Sequence, residues 1–215
     1  MAVIGLSKPH YAVYANTSGT VSYANGGVLG KAVEVNLEIE TSEDNNLYAD
    51  DGIAETDRTF SNGTLTLSTD DLSQEVSKAI LGLKEVALSE IEGVTDEDAK
   101  ELIYDNEQET PYLGIGFIIK KRVGGKDMWR GVVLRKTMFS VPPDAATTQG
   151  ETIEWQVPEL TATVMRDDSA TQQWKSEATF TTLAQAEAYI KNRLNITASP
   201  AKINEAKVDE SVISQ

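Results

Sequence analysis

The chain contains no cysteine and a single histidine among its 215 residues. Without cysteine it has no disulfides, thiolate nucleophile, zinc finger or iron–sulfur site. One histidine cannot build a multi-histidine metal centre, and His10 stands beside Pro9 and Tyr11 with no G-x-S-x-G pattern nearby. These absences exclude thiol, iron–sulfur and multi-histidine metal chemistry, and no motif for a serine nucleophile stands beside His10. We therefore expect no enzyme activity, no metal and no cofactor.

Long hydrophobic runs are also absent. No stretch of the sequence approaches the ~20 apolar residues of a membrane span. The N-terminal segment has no basic region followed by the apolar core of a signal peptide. We expect a protein that is made and folded in a cytosol and has no membrane partner.

Positive charge is scarce: 19 lysine and arginine residues face 34 acidic ones, for a formal net charge of −15. Residues 1–110 hold 22 of the acids and 6 of the bases, so the excess of acid lies in the first half. This balance disfavours binding of nucleic acid by phosphate neutralisation. The second half contains a local basic patch: Lys120, Lys121, Arg122, Lys126, Arg130, Arg135 and Lys136.

Most of the periodic segments predict strands. Residues 32–40 alternate strictly, with Glu34, Glu38 and Glu40 on the polar face. Residues 112–119 and 128–139 flank a Gly-Gly pair and predict a hairpin, whose first run is apolar on both faces and belongs inside a sheet. Asn62-Gly63 indicates a tight turn before a strand at 64–68, and residues 151–165 predict a strand interrupted at Pro158.

Three segments predict helices. Residues 71–82 have a helical apolar stripe, a cap formed by Asp71 and Gln74, and Gly82 near the end. Residues 95–104 and 183–192 are the other two, the last with a Thr182–Gln185 capping box. The sequence thus predicts a β-rich α+β domain with flanking helices.

Two segments lack periodicity. Residues 44–59 are rich in Asp and Asn and long for a loop, and such loops are usually functional or disordered. The EF-hand pattern fails there, because placing Gly52 at its sixth position puts Leu47 at the first ligand site. An irregular calcium site remains an alternative to a solvated loop. Residues 195–215 predict a C-terminal tail, either disordered or docked on a partner.

Other functional patterns fail or have a simpler explanation. The segment from Gly26 to Ala32 approaches a phosphate-binding loop, but its glycines are one residue too close and it lacks the Ser or Thr that contacts Mg²⁺. Trp129, Trp155 and Trp174 suit ligand stacking, although core packing is the usual fate of Trp on strands.

The charge distribution and the aperiodic segments favour assembly. An acidic half and a basic hairpin on one chain allow head-to-tail contact between identical copies, which produces rings or open stacks. Ordinary solvated faces and a frayed terminus are the alternative explanation of the same features.

Several short segments occur in an informative order along the chain. They are IGLSKPHY at 4–11, residues 23–37, LYADDGIA at 47–54, FSNGTLTL at 60–67 leading into Asp71-Leu-Ser, PYLGIGF at 111–117, Trp129, FSVP at 139–142 and TQGETIE at 148–154. Their order and spacing resemble the major tail protein family of long-tailed phages and prophages of Gram-positive bacteria. The resemblance covers residues 4–194.

The resemblance implies a tail-tube fold, in which a β-sandwich contributes strands to a β-barrel shared by the subunits of a hexameric ring. It implies that stacked rings form the tube through which DNA leaves the capsid, with tape-measure, tail terminator and distal tail proteins as partners. It implies a tube domain over 1–194 and an arm over 195–215 that reaches a neighbouring subunit. The segment 44–59 matches the stacking loop between rings, with Asp44, Tyr48, Asp50, Asp51, Asp57 and Arg58 as candidate contacts.

Two rival functions remain open from the sequence. A capsid decoration or tail-completion protein would share the β-rich acidic character. A carbohydrate-binding module would use the tryptophans and acids.

For a tube, a lumen lined by carboxylates would repel DNA phosphates. We hypothesise that Glu34, Glu38 and Glu40 face that lumen, and that the basic patch holds acidic neighbours.

Overall fold

A computed structural model describes residues 2–88, 99–144, 148 and 157–196 of the chain. Twelve strands and two helices lie in these ranges. They are β1 (Ala2–Thr17), β2 (Thr20–Val28), β3 (Ala32–Thr41), β4 (Asn45–Ala49), β5 (Gly52–Asp57), β6 (Phe60–Thr69), α1 (Gln74–Leu81), β7 (Lys84–Ala87), β8 (Lys100–Ile103), β9 (Leu113–Val123), β10 (Lys126–Phe139), β11 (Glu159–Met165), β12 (Lys175–Phe180) and α2 (Leu183–Arg193).

Eight of the strands form one antiparallel sheet in the order β2-β1-β9-β10-β11-β6-β3, with β12 also paired to β10. β10 is long enough to pair with β12 from Trp129 to Leu134 and with β11 along its last four residues. β9 lies between β1 and β10, as its two apolar faces predict. The turn from β9 to β10 is Gly124-Gly125, with φ of 56° and 79°. The predicted hairpin is therefore confirmed.

Apolar side chains are buried on both faces of the sheet. One core cluster joins β9 to β6 and α1 through Ile115, Leu65 and Ile80, and residues of β11 complete it. The other lies under α2, where Ile190 and Leu194 pack against Ile118 of β9. The architecture is that of a β-rich domain in which a large antiparallel sheet folds over its own core and carries two helices.

The absence of side chains at two positions of β9 lets α2 approach the sheet. A Cβ atom at Gly114 would lie 2.5 Å from the Tyr23 ring and 2.6 Å from Leu194, and one at Gly116 would collide with Ile190. The Gly-x-Gly of this strand therefore serves packing, because glycine permits close approach of a neighbouring element.

Both described helices occupy predicted segments. α1 is capped by Ser73, whose Oγ accepts a hydrogen bond from the Val76 N–H, so the predicted cap at Asp71 was wrong. Gly82 ends α1 in the left-handed conformation, with φ of 70°. α2 begins after Thr182, whose Oγ1 accepts from the Gln185 N–H as expected.

Two local predictions were wrong. Asn62-Gly63 lies inside β6, where Gly63 pairs with Ile39 and Val164. A Cβ there would lie 2.9 Å from the Glu38 carbonyl oxygen, so this glycine allows two strands to approach and makes no turn. The predicted helix 95–104 falls partly outside the described residues, and its described end is strand β8, which pairs with β7. Pairing with a neighbouring strand overrides weak helix propensity there.

The remaining sequence predictions are only partly described. β11 begins directly after Pro158, which fits a proline at the start of a strand. Residues 151–156 of the same predicted strand, including Trp155, lie outside the described residues, as does the C-terminal segment beyond residue 196.

Candidate functional site

The predicted acidic face lies on β3, the last strand of the sheet. Glu34, Glu38 and Glu40 are exposed, and they pair in register with Ser68, Thr64 and Asn62 of β6. None of the three carboxylates forms an ion pair with a residue that the structure describes. Within the described part of the chain, the face therefore presents uncompensated negative charge along the last strand of the sheet.

The aliphatic side of β3 is less uniform than its alternation predicts. Val35 and Leu37 pack against the core, whereas Val33 remains 54% exposed and Ile39 is also exposed. The strand thus buries only the middle of its apolar stripe within its own chain.

The segment 44–59 is a β-hairpin, which corrects the expectation of a loop without regular structure. β4 and β5 pair antiparallel from Asn45↔Asp57 to Ala49↔Gly52. The turn residues Asp50 and Asp51 have φ of 50° and 63°. Two successive residues of positive φ are the requirement of the tight type I′ turn, whose twist matches that of the strands.

Polar contacts hold the base of this hairpin. The Arg58 guanidinium donates two hydrogen bonds of 2.6 Å to the two carboxylate oxygens of Asp44. These bonds lower the pKa of Asp44 and raise that of Arg58. The Thr59 N–H donates to Ser42 Oγ at 3.1 Å. The hairpin therefore leaves the sheet through a fixed junction.

The upper part of the hairpin exposes large apolar side chains. Leu47, Tyr48 and Ile53 are 59%, 66% and 58% exposed. Asp50 and Asp51 lie between them at the tip and are also exposed. The candidate stacking residues thus divide into two groups, with Asp44 and Arg58 at the base and Tyr48, Asp50 and Asp51 near the tip. Asp57 ends β5 beside the base.

The predicted basic patch is partly neutralised within the chain. Lys120 and Arg122 both bind Asp127, at 2.6 and 2.8 Å, and the two contacts lower the pKa of Asp127 to about 2. Two more bases of the patch pair with acids that are distant in sequence. Arg130 pairs with Glu177 at 3.8 Å, and Lys136 pairs with Asp168 at 2.7 Å.

Lys121, Lys126 and Arg135 of the patch form no ion pair with a described residue. Lys136 is mostly covered, because its ammonium also lies over the rings of Tyr14 and Tyr112. The unpaired positive charge of the patch is therefore smaller than its sequence indicates.

His10 is buried, at 1% exposure. Its Nδ1 lies 2.8 Å from the Lys8 carbonyl oxygen, so Nδ1 carries the proton and donates. Nε2 has no partner among the described residues. Burial lowers the pKa of His10, against the opposing effects of the Lys8 carbonyl and Glu187. This geometry is that of a neutral core histidine.

Two of the three tryptophans have described surroundings. The Trp174 ring stacks on Phe60, with ring centres 4.4 Å apart and planes inclined by 3°. Trp129 packs against the cluster under α2, and the Lys120 ammonium lies 5.6 Å from its ring centre. Both therefore take part in packing within the chain.

An open polar cleft of about 610 Å³ lies where the β1–β2 turn, the β11–β12 connection and the end of α2 meet. Arg135, Arg193 and Asp167 contribute its charged groups. Sequence reasoning missed this cleft, because residues from four separate segments form it and no local pattern marks them. Only Arg135 stood out in the sequence, as a member of the basic patch.

No cluster of three or more potential metal ligands occurs in the described part of the chain. Neither α1 nor α2, its two helices, has the length and apolar character needed to cross a membrane. The sequence matches no protein-family model and no curated protein.

Proposed function

We propose that the chain is a structural virion protein that polymerises as stacked rings into a phage tail tube. The observation that carries this proposal is the hairpin β4–β5 with its exposed Leu47, Tyr48 and Ile53. A lone two-stranded hairpin is at best marginally stable in water. Exposed apolar clusters on such an element are typical of surfaces that a partner covers.

The sheet edges support association between copies. β2 and β3 end the order of the described sheet, so each has one side without a described strand partner. Open edges of this kind invite pairing with another chain, and closure into a shared barrel removes them. A ring of subunits would achieve that closure.

The acidic face of β3 supports a conduit for DNA. Glu34, Glu38 and Glu40 form no ion pair with a described residue, and the whole chain has a net charge of −15. A wall of carboxylates repels phosphates and gives DNA no attachment points. We propose that this face lines the lumen and that DNA passes without binding.

The proposed role is not catalytic and needs no cofactor. Its partners are further copies of the same chain, followed by tape-measure, tail terminator and distal tail proteins. Assembly takes place in the cytoplasm of a bacterial host, and the protein ends in the virion. The resemblance of residues 4–194 to major tail proteins supports these assignments.

Negative-stain electron microscopy of concentrated protein tests the proposal, with sedimentation velocity alongside. We expect rings of uniform diameter and hollow tubes. A protein that stays monomeric at all concentrations contradicts the proposal. Small closed oligomers without tubes would instead favour a decoration or tail-completion protein.

A further inference from the structure

The polar cleft beside α2 contains two arginines that form no ion pair with a described residue. Arg135 donates through Nη2 to Gln173 Oε1 at 2.9 Å, and its buried Nε has no partner among the described residues. The Arg193 guanidinium lies over the Tyr189 ring, 5.6 Å from its centre, and forms no ion pair with a described residue. Unpaired arginines are unexpected in a chain with 34 acids and 19 bases.

The acid in the cleft is already engaged. Asp167 is buried, and its Oδ1 accepts hydrogen bonds from the Ser169 backbone N–H and from Ser169 Oγ. Carbonyls in the last turn of α2 also have backbone partners, since those of Ile190 and Lys191 accept from the N–H groups of Leu194 and Ile196. Arg193 is therefore not needed to cap the helix, and its donors are available to a ligand.

A carboxylate group fits these donors well. Arginine presents several N–H groups in a fixed fork that matches the two oxygens of a carboxylate. Thr20 and Asn192 line the same cleft, and the hydroxyl and amide groups of these residues are neutral donors. The cleft is thus suited to a short acidic segment of polypeptide.

We infer that the cleft receives the Asp50-Asp51 tip of the β4–β5 hairpin from a second copy of the chain. The tip is narrow, exposed and doubly acidic, and neither aspartate forms an ion pair with a described residue. The acids of β3 lie along the side of a strand, a shape that suits a cleft less well than a narrow turn. Tip and cleft are different surfaces, so their contact is head-to-tail and generates rings or open stacks.

This inference rests on the proposed self-assembly and names the surface that receives the hairpin. The test is a double-mutant cycle on purified full-length protein. Asp50→Asn with Asp51→Asn removes the charge of the tip, because asparagine tolerates the positive φ of both positions. Arg193→Gln removes one charge from the cleft. The readout is the protein concentration at which half of the material sediments as rings or tubes.

We expect each change to raise this concentration about tenfold, in line with measured couplings of close charge pairs across interfaces. The combined variant should lose little beyond the larger single effect, because both changes remove the same contact. Lys78→Gln is the matched control. It makes the same change of charge on α1, which contributes no residue to the lining of the cleft, and should assemble like the unchanged protein. Lys126→Gln tests the basic patch as the rival receiver of the tip. Thermal melts of dilute protein check that every variant folds.

Two results would overturn the inference while leaving the proposed function intact. One is that the fold-changes in assembly concentration of the tip variant and the cleft variant multiply in the combined variant, which would show that the two sites make separate contacts. The other is that Lys126→Gln impairs assembly and Arg193→Gln does not, which places the acidic neighbour on the basic hairpin. If the unchanged protein forms no rings or tubes, the proposed function and this inference both fail.

Discussion

Arg58 and Asp44 join the two ends of the β4–β5 hairpin through a pair of parallel hydrogen bonds, Nε to Oδ1 and Nη2 to Oδ2, each 2.6 Å long. Both side chains are exposed, so the pair adds little to global stability in water. Its effect is geometric, because a two-pronged contact fixes orientation as well as distance. The pair sets the direction in which the hairpin leaves the sheet.

The first prediction concerns Arg58→Lys. Lysine keeps the charge but cannot form the two-pronged contact. We expect faster hydrogen exchange at the backbone amides of β4 and β5, weaker ring or tube formation, and an unchanged midpoint of urea unfolding. Asp57→Asn is the control for hydrogen exchange, since Asp57 ends β5 but forms no ion pair with a described residue. Equal exchange rates in the Arg58→Lys variant and the unchanged protein would refute this role.

The same pair predicts a dependence on pH. The pKa of Asp44 is lowered by its hydrogen bonds to Arg58. A group whose pKa is lower in the folded state stabilises above its ordinary value of 3.8 and loses that effect as the pH falls through the folded value. We expect the protection factors of the hairpin amides, which correct for the intrinsic pH dependence of exchange, to stay constant from neutral pH down to the ordinary Asp range and to fall only in stronger acid.

A second prediction separates folding from assembly. Tyr48→Ser with Ile53→Ser removes exposed apolar surface from the hairpin. The free energy of unfolding should change by less than ~0.5 kcal/mol per site, as at most surface positions. Ring or tube formation should be lost. Val86→Ser removes a similarly exposed side chain from β7 and should leave assembly intact. Tubes from the hairpin variant would show that its apolar face contacts no partner.

The sequence predicted the central hairpin β9–β10 and both described helices, because apolar periodicity and Gly-Gly mark them directly. It did not predict β4–β5, whose strands bury little and therefore lack an apolar face. The available signal was Asp51-Gly52, a dipeptide typical of tight hairpin turns, although it lies one position after the turn residues Asp50 and Asp51. The turn predicted at Asn62-Gly63 was wrong because glycine occurs both in tight turns and where two backbones approach closely. The residue type alone does not distinguish these two roles.

Charge was predicted less well than strands. The seven bases of the basic patch are adjacent in sequence, but Glu177 and Asp168 reach two of them from distant segments. Arg193 lies far from the patch in sequence and shares a cleft with Arg135. Such contacts depend on the tertiary structure, and the local sequence does not show which distant residues come together.

A third prediction tests the packing of α2 on β9. Gly116→Ala should lower the free energy of unfolding by about 1–3 kcal/mol, because its Cβ would collide with Ile190 in a filled core. Gly5→Ala is the matched control on β1, where the nearest atom to the new Cβ would be Lys120 Cβ at an ordinary 3.6 Å. Urea unfolding of both variants provides the comparison. A Gly116→Ala variant as stable as the control would contradict the packing described.

The fourth prediction concerns His10, whose pKa is lowered by burial. Since the unfolded chain takes up the proton more readily, stability should be full above the ordinary pKa of 6.5 and fall as the pH drops below it toward the folded value. His10→Asn cannot titrate, and its amide can still donate to the Lys8 carbonyl. Glu187, Lys8 and Lys191, the charged groups around His10, are present in both proteins.

The measurement is the free energy of urea unfolding at about pH 7.5 and about pH 5.5, on either side of the ordinary histidine value. The protein with His10 should lose more stability over this interval than the variant with asparagine, whatever their difference at the higher pH. Parallel pH dependence in the two proteins would mean that protonation of His10 in the folded state does not lower the free energy of unfolding.

The last prediction places the acidic face of β3. Because the chain has no cysteine, Glu38→Cys creates a unique thiol on an exposed strand, and Glu75→Cys does the same in the first turn of α1. In unassembled protein both thiols should react with a small maleimide and with one that carries a long polymer. In tubes, Cys at position 38 should still react with the small reagent, which enters through the open ends, but should resist the polymer. Equal reaction of both thiols with the polymer would exclude β3 from the lumen, and protection of position 38 from both reagents would place it in a contact between subunits.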